Sequence, residues 1–366
     1  MNVAIVNDSK AATEVLRRIL AAHPGFDLLW TAFSGEEALR LCAISVPDII
    51  LMDLIMPGID GAETTRRIMQ STPCVILIVT ATTVGNRDKV FEAMGYGALD
   101  AVNTPNLHLR GEMSGAEPLL QKLRTVGRLV SPPRPGPAPH THSSQSPIAK
   151  TSSHHSPDLA IVAIGASTGG PQALSQILSH LPADFPAAVL VGQHVDEQFA
   201  PGLANWLQHH TALPVRIACA GQPLTSGTVW IAGSNDHLIY EERAVAGGTK
   251  VGFLNYTADP RDTAYRPSVD VLFASIAQPH RALRIGVLLT GMGRDGAEGL
   301  LALRNTGGLT IAQDAVTSVV YGMPKAAAEL KAAAEILPLE AIGPRIHKAI
   351  VHSAHSQGLI ATHQQR

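Results

Sequence analysis

The chain has 366 residues, 45% of them hydrophobic and 16% charged, with a formal net charge of −2 and no long run of Lys or Arg. That balance is ordinary for a globular protein and excludes a nucleic-acid surface that works by neutralising phosphates. A single core rarely grows past about 250–300 residues, so two domains are expected.

The first half alternates strand and helix. Val3–Val6 is an apolar strand ending at Asn7-Asp8-Ser9, and Val15, Leu16, Ile19 and Leu20 follow at helical spacing. Strands are expected next at Asp27–Ala32, Asp48–Asp53, Cys74–Val79 and Ala98–Val102, and helices at Gly35–Cys42, Gly61–Gln70, Gly85–Met94 and Ala116–Leu129. This order predicts a doubly wound parallel sheet, whose ligands bind at the carboxyl ends of the strands. From Ser131 to Pro157 the composition turns to Pro, Ser, His and Gly, which cannot offset the entropy of ordering and reads as a linker.

A second α/β unit follows, with strands at Leu159–Ile164, Ala187–Val191, Thr228–Ala232, Arg284–Leu289 and Leu309–Ala312. Shorter runs between Val229 and Tyr256 suggest an antiparallel hairpin, and the chain is expected to fray after about His352. The resulting division is 1–127, a linker at 128–157, 158–352 and a tail at 353–366. Cys42, Cys74 and Cys219 are widely separated, so neither a disulfide framework nor a thiolate metal site is expected. Asp8 interrupts any signal-like core at the N-terminus, and no run of about 18 apolar residues occurs, so a cytoplasmic protein without membrane insertion is expected.

Two groups of residues carry chemistry. Asp8 follows the first strand and Asp53 ends the third, so a parallel sheet brings both carboxylates to one edge, where they suit a Mg²⁺ ion shared with a phosphoryl group. Asp53 is the candidate phosphorylated nucleophile and Thr80 the candidate phosphoryl contact. The second group begins at Gly165-Ala166-Ser167-Thr168-Gly169-Gly170-Pro171, a strand-to-helix turn that exposes a Ser beside a helix N-terminus. Such a glycine-rich loop also binds phosphates or merely packs, so this segment alone does not decide its chemistry. His194 ends the next strand as candidate general base, and Asp295 follows a third as candidate orienter, completing a Ser-His-Asp set. Backbone N–H groups at Thr168 and Met292 are the candidates for an oxyanion hole.

With Met52-Asp53-Leu54-Ile55-Met56-Pro57-Gly58-Ile59-Asp60-Gly61, residues 1–127 resemble the receiver domain of two-component response regulators. Two positions depart from that family, since Asn7 stands where a second acid is usual and Thr104 where a Lys is usual. Residues from about 158 to 350 resemble the catalytic domain of CheB protein-glutamate methylesterases, through the Ser167 turn, Gly192-Gln193-His194, Tyr265-Arg266-Pro267-Ser268-Val269-Asp270, Leu289-Thr290-Gly291-Met292-Gly293-Arg294-Asp295-Gly296 and Tyr321-Gly322-Met323-Pro324. The Phe91–Val102 segment is most similar to the WspF branch, which implies a surface-sensing array that controls cyclic-di-GMP synthesis.

The resemblance implies hydrolysis of glutamate γ-methyl esters on methylated chemoreceptors, with glutamine deamidation by the same chemistry. It implies a histidine kinase as phosphodonor and a receiver that covers the esterase cleft until Asp53 is phosphorylated, with no cofactor for the ester chemistry itself. The competing expectation is a non-enzymatic receptor-docking regulator, whose signature would be loss of Ser167, His194 or Asp295. Arg266 faces either an acidic receptor surface or merely a helix start capped by Ser268. The His residues at 140, 142, 154, 155, 209 and 210 lack supporting Cys or carboxylate spacing and read as solvated rather than zinc-binding.

Overall fold

A computed structural model describes residues 1–80, 87–107, 113–114, 116–130, 159–244, 250–263, 265–278 and 282–356. The first unit contains β1 (Asn2–Val6), α1 (Lys10–Ala21), β2 (Asp27–Ala32), α2 (Gly35–Ile44), β3 (Ile49–Met52), α3 (Gly61–Ser71), β4 (Val75–Thr80), α4 (Arg87–Gly95) and β5 (Asp100–Asn103). A two-residue hairpin, β6 (Asn106–Leu107) with β7 (Met113–Ser114), precedes α5 (Ala116–Val130). The five main strands are parallel in the order β2-β1-β3-β4-β5. This is the flavodoxin-like winding, with its functional edge at the carboxyl ends of β1 and β3. Every residue of β3 is buried, as a central strand covered by helices on both faces requires. Ser9, Ser34 and Asp60 cap α1, α2 and α3 by accepting the N–H groups of Ala12, Glu37 and Glu63.

The second unit runs β8 (Ala160–Ala166), α6 (Gly170–Leu178), β9 (Ala187–Gln193), α7 (Ala200–Gln208), β10 (Val215–Ile217), β11 (Gln222–Pro223), β12 (Val229–Ile231), β13 (His237–Ala244), β14 (Lys250–Thr257) and α8 (Val269–Ile276). It continues with β15 (Arg284–Leu288), α9 (Ala297–Asn305), β16 (Leu309–Gln313), α10 (Met323–Glu329), β17 (Glu335–Leu337) and α11 (Leu339–Ser356). Seven parallel strands stand in the order β10-β12-β9-β8-β15-β16-β17. Because β8 lies at the centre between β9 and β15, the turns after these three strands meet at one edge. The expected hairpin is present as β13 against β14, joined by β11 into a small antiparallel sheet.

The differences from expectation lie in short or terminal elements. Strands β10 and β17 are edge strands of three residues that alternate half-buried with exposed positions, too little apolar signal to mark them beforehand. α11 does not fray after His352 but continues through Ser356, because Ile346, Ile350 and Ala354 carry its buried face onward. Of the linker expected at 128–157, only residues 128–130 are described, as the end of α5, and of the tail at 353–366 only residues 353–356, as the end of α11. His140, His142, His154 and His155 also lie outside the described residues.

The two units pack together through α4, which lies on α7 and touches α6. Phe91 of α4 meets Trp206 of α7 with ring centroids 6.3 Å apart, and one continuous apolar core joins Val90, Phe91 and Met94 to Phe199, Leu203 and Leu207. Among the described residues no helix is long and apolar enough to cross a membrane.

Candidate active site

Ser167 sits at the tip of β8, and the pairing of β8 with β9 runs Gly165 with Gly192 and Ala166 with Gln193, so the next position sets Ser167 beside His194. The turn is fixed from several sides. Ser167 donates its backbone N–H to the Thr290 carbonyl at 3.0 Å, its own carbonyl accepts from Gln193 Nε2 at 2.9 Å, and the His194 N–H binds the Ala166 carbonyl at 3.0 Å. Gly169 takes φ +78°, a conformation that favours glycine. A Cβ on Gly291 would lie 2.7 Å from that of Ser167, so the Thr290-Gly291 loop must be bare to approach the serine.

Asp295, beyond β15, receives His194 Nε2 at 2.7 Å. Its carboxylate also accepts the Ser268 hydroxyl at 2.7 Å and the backbone N–H groups of Val269 at 2.7 Å and Asp270 at 3.1 Å. It is therefore seated on the N-terminus of α8, where donors and the helix dipole favour negative charge. Burial opposes its ionisation, but the bond and charge of His194, followed by Val269 and Ser268, outweigh burial and hold the carboxyl below its ordinary range. Neighbouring Asp270 moves the other way: burial first, then the Asp295 charge, push it up to about 6 against a bond from the Gly299 N–H.

The side chain of His194 is only 6% exposed, and its Nδ1 has no hydrogen-bond partner among the described residues. With Nε2 committed to the carboxylate, the tautomer that donates from Nε2 leaves an open lone pair on Nδ1. Ser167, Thr168, His194, Tyr265, Arg266 and Met292 line one cavity of about 480 Å³. The second unit therefore brings Ser167, His194 and Asp295 together, with Thr168 and Met292 lining the same cavity.

The cavity's opposite wall comes from the first unit, through residues such as Phe91, Asp100 and Lys122. Asp100, at the start of β5, accepts the Thr168 hydroxyl at 3.0 Å and pairs with Lys122 of α5. The Leu99 carbonyl takes the Gly169 N–H at 3.3 Å. Asp100 and Lys122 were not singled out in the sequence, because nothing local marks an acid at a strand start as a partner for a loop 68 positions away. Ser268 was legible as a helix cap, and it is one, accepting the Val271 N–H; its second bond, to Asp295, is a matter of tertiary placement. Arg266 binds the Ala258 carbonyl and approaches Asp236, so it braces the segment before α8 as well as lining the cavity.

At the edge of the first sheet, Asp53 follows β3 and is half-buried, with the Ile55 N–H 3.4 Å from Oδ1 and a hydrogen bond from Thr80 at the tip of β4. Burial is the largest influence on this carboxyl and, with the nearby Asp8 charge, raises it above its ordinary value against those bonds. Asp8 is exposed. Asn7 is turned inward, its Oδ1 accepting the Ser9 N–H at 2.8 Å, so it shapes the turn before α1. Thr104 N–H binds the Thr80 carbonyl at 3.1 Å. Two repelling carboxylates beside an exposed edge suit a divalent cation that keeps most of its water, as Mg²⁺ does. His209 and His210 close α7, their rings bonded to the Asn205 and Trp206 carbonyls, and no cluster of metal-binding side chains occurs among the described residues.

A flavodoxin-like domain with an acidic edge, followed by a parallel-sheet domain with a Ser-His-Asp constellation, is the architecture of a response regulator whose output domain is a hydrolase. Residues 3–108 match the response regulator receiver domain model, and residues 162–346 match the CheB methylesterase model. A Cupriavidus pinatubonensis protein named protein-glutamate methylesterase/protein-glutamine glutaminase 1 is 52% identical over 349 residues, 95% of this chain and 97% of that one. A Pseudomonas aeruginosa protein of the same name, numbered 3, is 48% identical over 357 residues, 94% and 98% of the two chains. The catalytic domain of Thermotoga maritima CheB methylesterase is 37% identical, covering 52% of this chain and 97% of that one, with a TM-score of 0.47. The chain belongs to the CheB methylesterase family.

Proposed function

We propose that the protein is a protein-glutamate methylesterase that hydrolyses glutamate γ-methyl esters, and deamidates glutamines, on the cytoplasmic domains of methyl-accepting chemoreceptors. The observation that carries this reading is that Ser167 and His194 line one cavity while His194 is bonded to Asp295. Ser167 Oγ attacks the ester carbonyl while His194 Nδ1 takes its proton, and Asp295 holds the imidazolium through Nε2. N–H groups of Thr168 and Met292 face the developing oxyanion. As the tetrahedral adduct collapses, the proton on Nδ1 passes to the leaving methoxide, which departs as methanol. Water, deprotonated by the same nitrogen, then frees the glutamate carboxylate and restores Ser167.

The receiver spans 1–127 and the esterase 158–352 in this reading, joined by the segment 128–157 within the cytoplasm. A histidine kinase phosphorylates Asp53, with Asp8 and Asp53 holding Mg²⁺ and Thr80 contacting the phosphoryl oxygens. The bound cation supplies charge neutralisation for the incoming phosphoryl group. Unphosphorylated, the receiver withholds the site from a receptor, a view supported by the bonds from Asp100 and Leu99 to the Ser167 turn. A role in surface sensing, as the WspF resemblance of the Phe91–Val102 segment implies, belongs to the same proposal.

The test is methanol release from methylated receptor fragments by the full-length protein, with and without a small phosphodonor and Mg²⁺, beside a Ser167→Ala variant. Release that rises with the phosphodonor and vanishes with Ser167→Ala is expected. Equal release by wild type and Ser167→Ala would overturn the assignment.

A further inference from the structure

The Tyr265–Asp270 segment makes two kinds of contact with the triad, and the first is the set of bonds that the Ser268 hydroxyl and the Val269 and Asp270 N–H groups give Asp295 at the start of α8. The other is made by Tyr265, whose ring lies flat on the His194 imidazole, centroids 4.3 Å apart and planes within 7°. The bond from Nε2 to Asp295 fixes one point of the imidazole, and a hydrogen bond tolerates wide rotation about its own axis. Since Nδ1 has no partner among the described residues, the plane of the ring must be set by packing. The Tyr265 hydroxyl lies against Gly293, where φ is +88° and an added Cβ would be in ordinary contact with it at 3.4 Å. Burial, then the Asp295 charge, raise its phenol above the ordinary value, so the ring stays neutral.

We propose that Tyr265 is a positioning residue for the esterase reaction: its ring holds the imidazole of His194 in the plane that aims Nδ1 at Ser167. The stacked face also favours the positive charge that the imidazole acquires on taking the Ser167 proton. The role belongs to the aromatic face and not to the hydroxyl. This inference rests on Ser167 being the nucleophile, but not on the identity of the substrate.

The experiment compares Tyr265→Phe and Tyr265→Leu with wild-type full-length protein in two assays, methanol release from methylated receptor fragments with the phosphodonor present, and the rate at which a fluorophosphonate probe labels Ser167. Thermal melting checks that each variant is folded. Tyr265→Phe is expected to stay within about threefold of wild type, and Tyr265→Leu to lose about 10- to 30-fold in kcat and in labelling rate with KM unchanged. A Leu variant that labels as fast as wild type, a Phe variant as impaired as Leu, or a change confined to KM would overturn the proposal. If Tyr265→Leu proves unfolded, Tyr265→Phe and Tyr265→His decide it, since both keep a stacking ring and must retain labelling. Wild-type protein that labels at Ser167 but releases no methanol would remove the methylesterase reading while leaving Tyr265 to be judged on labelling alone.

Discussion

The two carboxylate sites differ in how completely the chain itself prepares them. Asp295 accepts four hydrogen bonds between 2.7 and 3.1 Å and is held ionised despite burial. Among the described residues Asp53 has a long contact to Ile55 and bonds from the Leu54 N–H and the Thr80 hydroxyl; it faces the like charge of Asp8, and burial and that charge raise it. The esterase carboxylate is thus preorganised for a cation that forms within the protein during each turnover. The receiver carboxylate stays poorly compensated until something arrives to share its charge. A site that must respond to a signal is served by that incompleteness, and a site that must repeat one reaction is not.

The largest effect is expected from Asp295→Asn, which keeps the shape of the esterase site and removes its charge. kcat for methanol release should fall by about 10³- to 10⁴-fold, while phosphorylation of Asp53, followed with radiolabelled phosphodonor, is unchanged. Asp100→Ala attacks the join between the regions: losing the Thr168 bond should raise basal methanol release without phosphodonor by about 5- to 10-fold. An unaltered basal rate would show that the Leu99 bond and the apolar packing of α4 suffice to hold the domains together. Thr104→Lys sharpens the contrast from the other side, since an added ammonium supplies a charge-assisted partner for the phosphoryl group; phosphorylation of Asp53 should be about 2- to 5-fold faster, read by the same radiolabel.

The smallest effect concerns pH. The Asp270 carboxyl rises from 3.8 to about 6 in the folded protein, so between those values the native state binds the extra proton and stability falls as pH increases. Asp270→Asn keeps an acceptor for the Gly299 N–H and removes the repulsion from Asp295. The variant should melt with wild type at pH 3.5 and about 2–4 °C higher at pH 7.5. Equal melting at both would mean that Asp270 relaxes into solvent when ionised.

Much of this arrangement is legible from the sequence, for definite reasons. Asp53, Ser167 and His194 stand at or just beyond the ends of buried parallel strands, and parallel sheets collect such ends at one edge. Periodicity marked β3, β8 and β9 because they are apolar throughout, whereas β10 and β17 lie at the sheet's edges and lack that signal. The inverted use of His194, with Nε2 rather than Nδ1 on the acid, depends on a ring orientation that residue identity does not encode. The stack of Tyr265 and the bond of Asp100 to Thr168 join residues far apart in the chain, and neither side carries a local mark of its partner.

The contact of Asp100 and Leu99 with the Ser167 turn has a consequence for how finely the protein is set. If the receiver closes the site as proposed, inhibitor and target are parts of one molecule, and closure is governed by an effective concentration set by the tether that joins them. A receiver free in solution would need tight affinity to occupy the cleft, while the tethered one occupies it with two polar bonds and the α4–α7 packing. Weak closure is also easily reversed: a bias of about 1.4 kcal/mol toward the open form changes its population about tenfold. On that proposal the degree of inhibition is independent of how much of the protein a cell makes, and changes in expression leave the set point where the interface puts it.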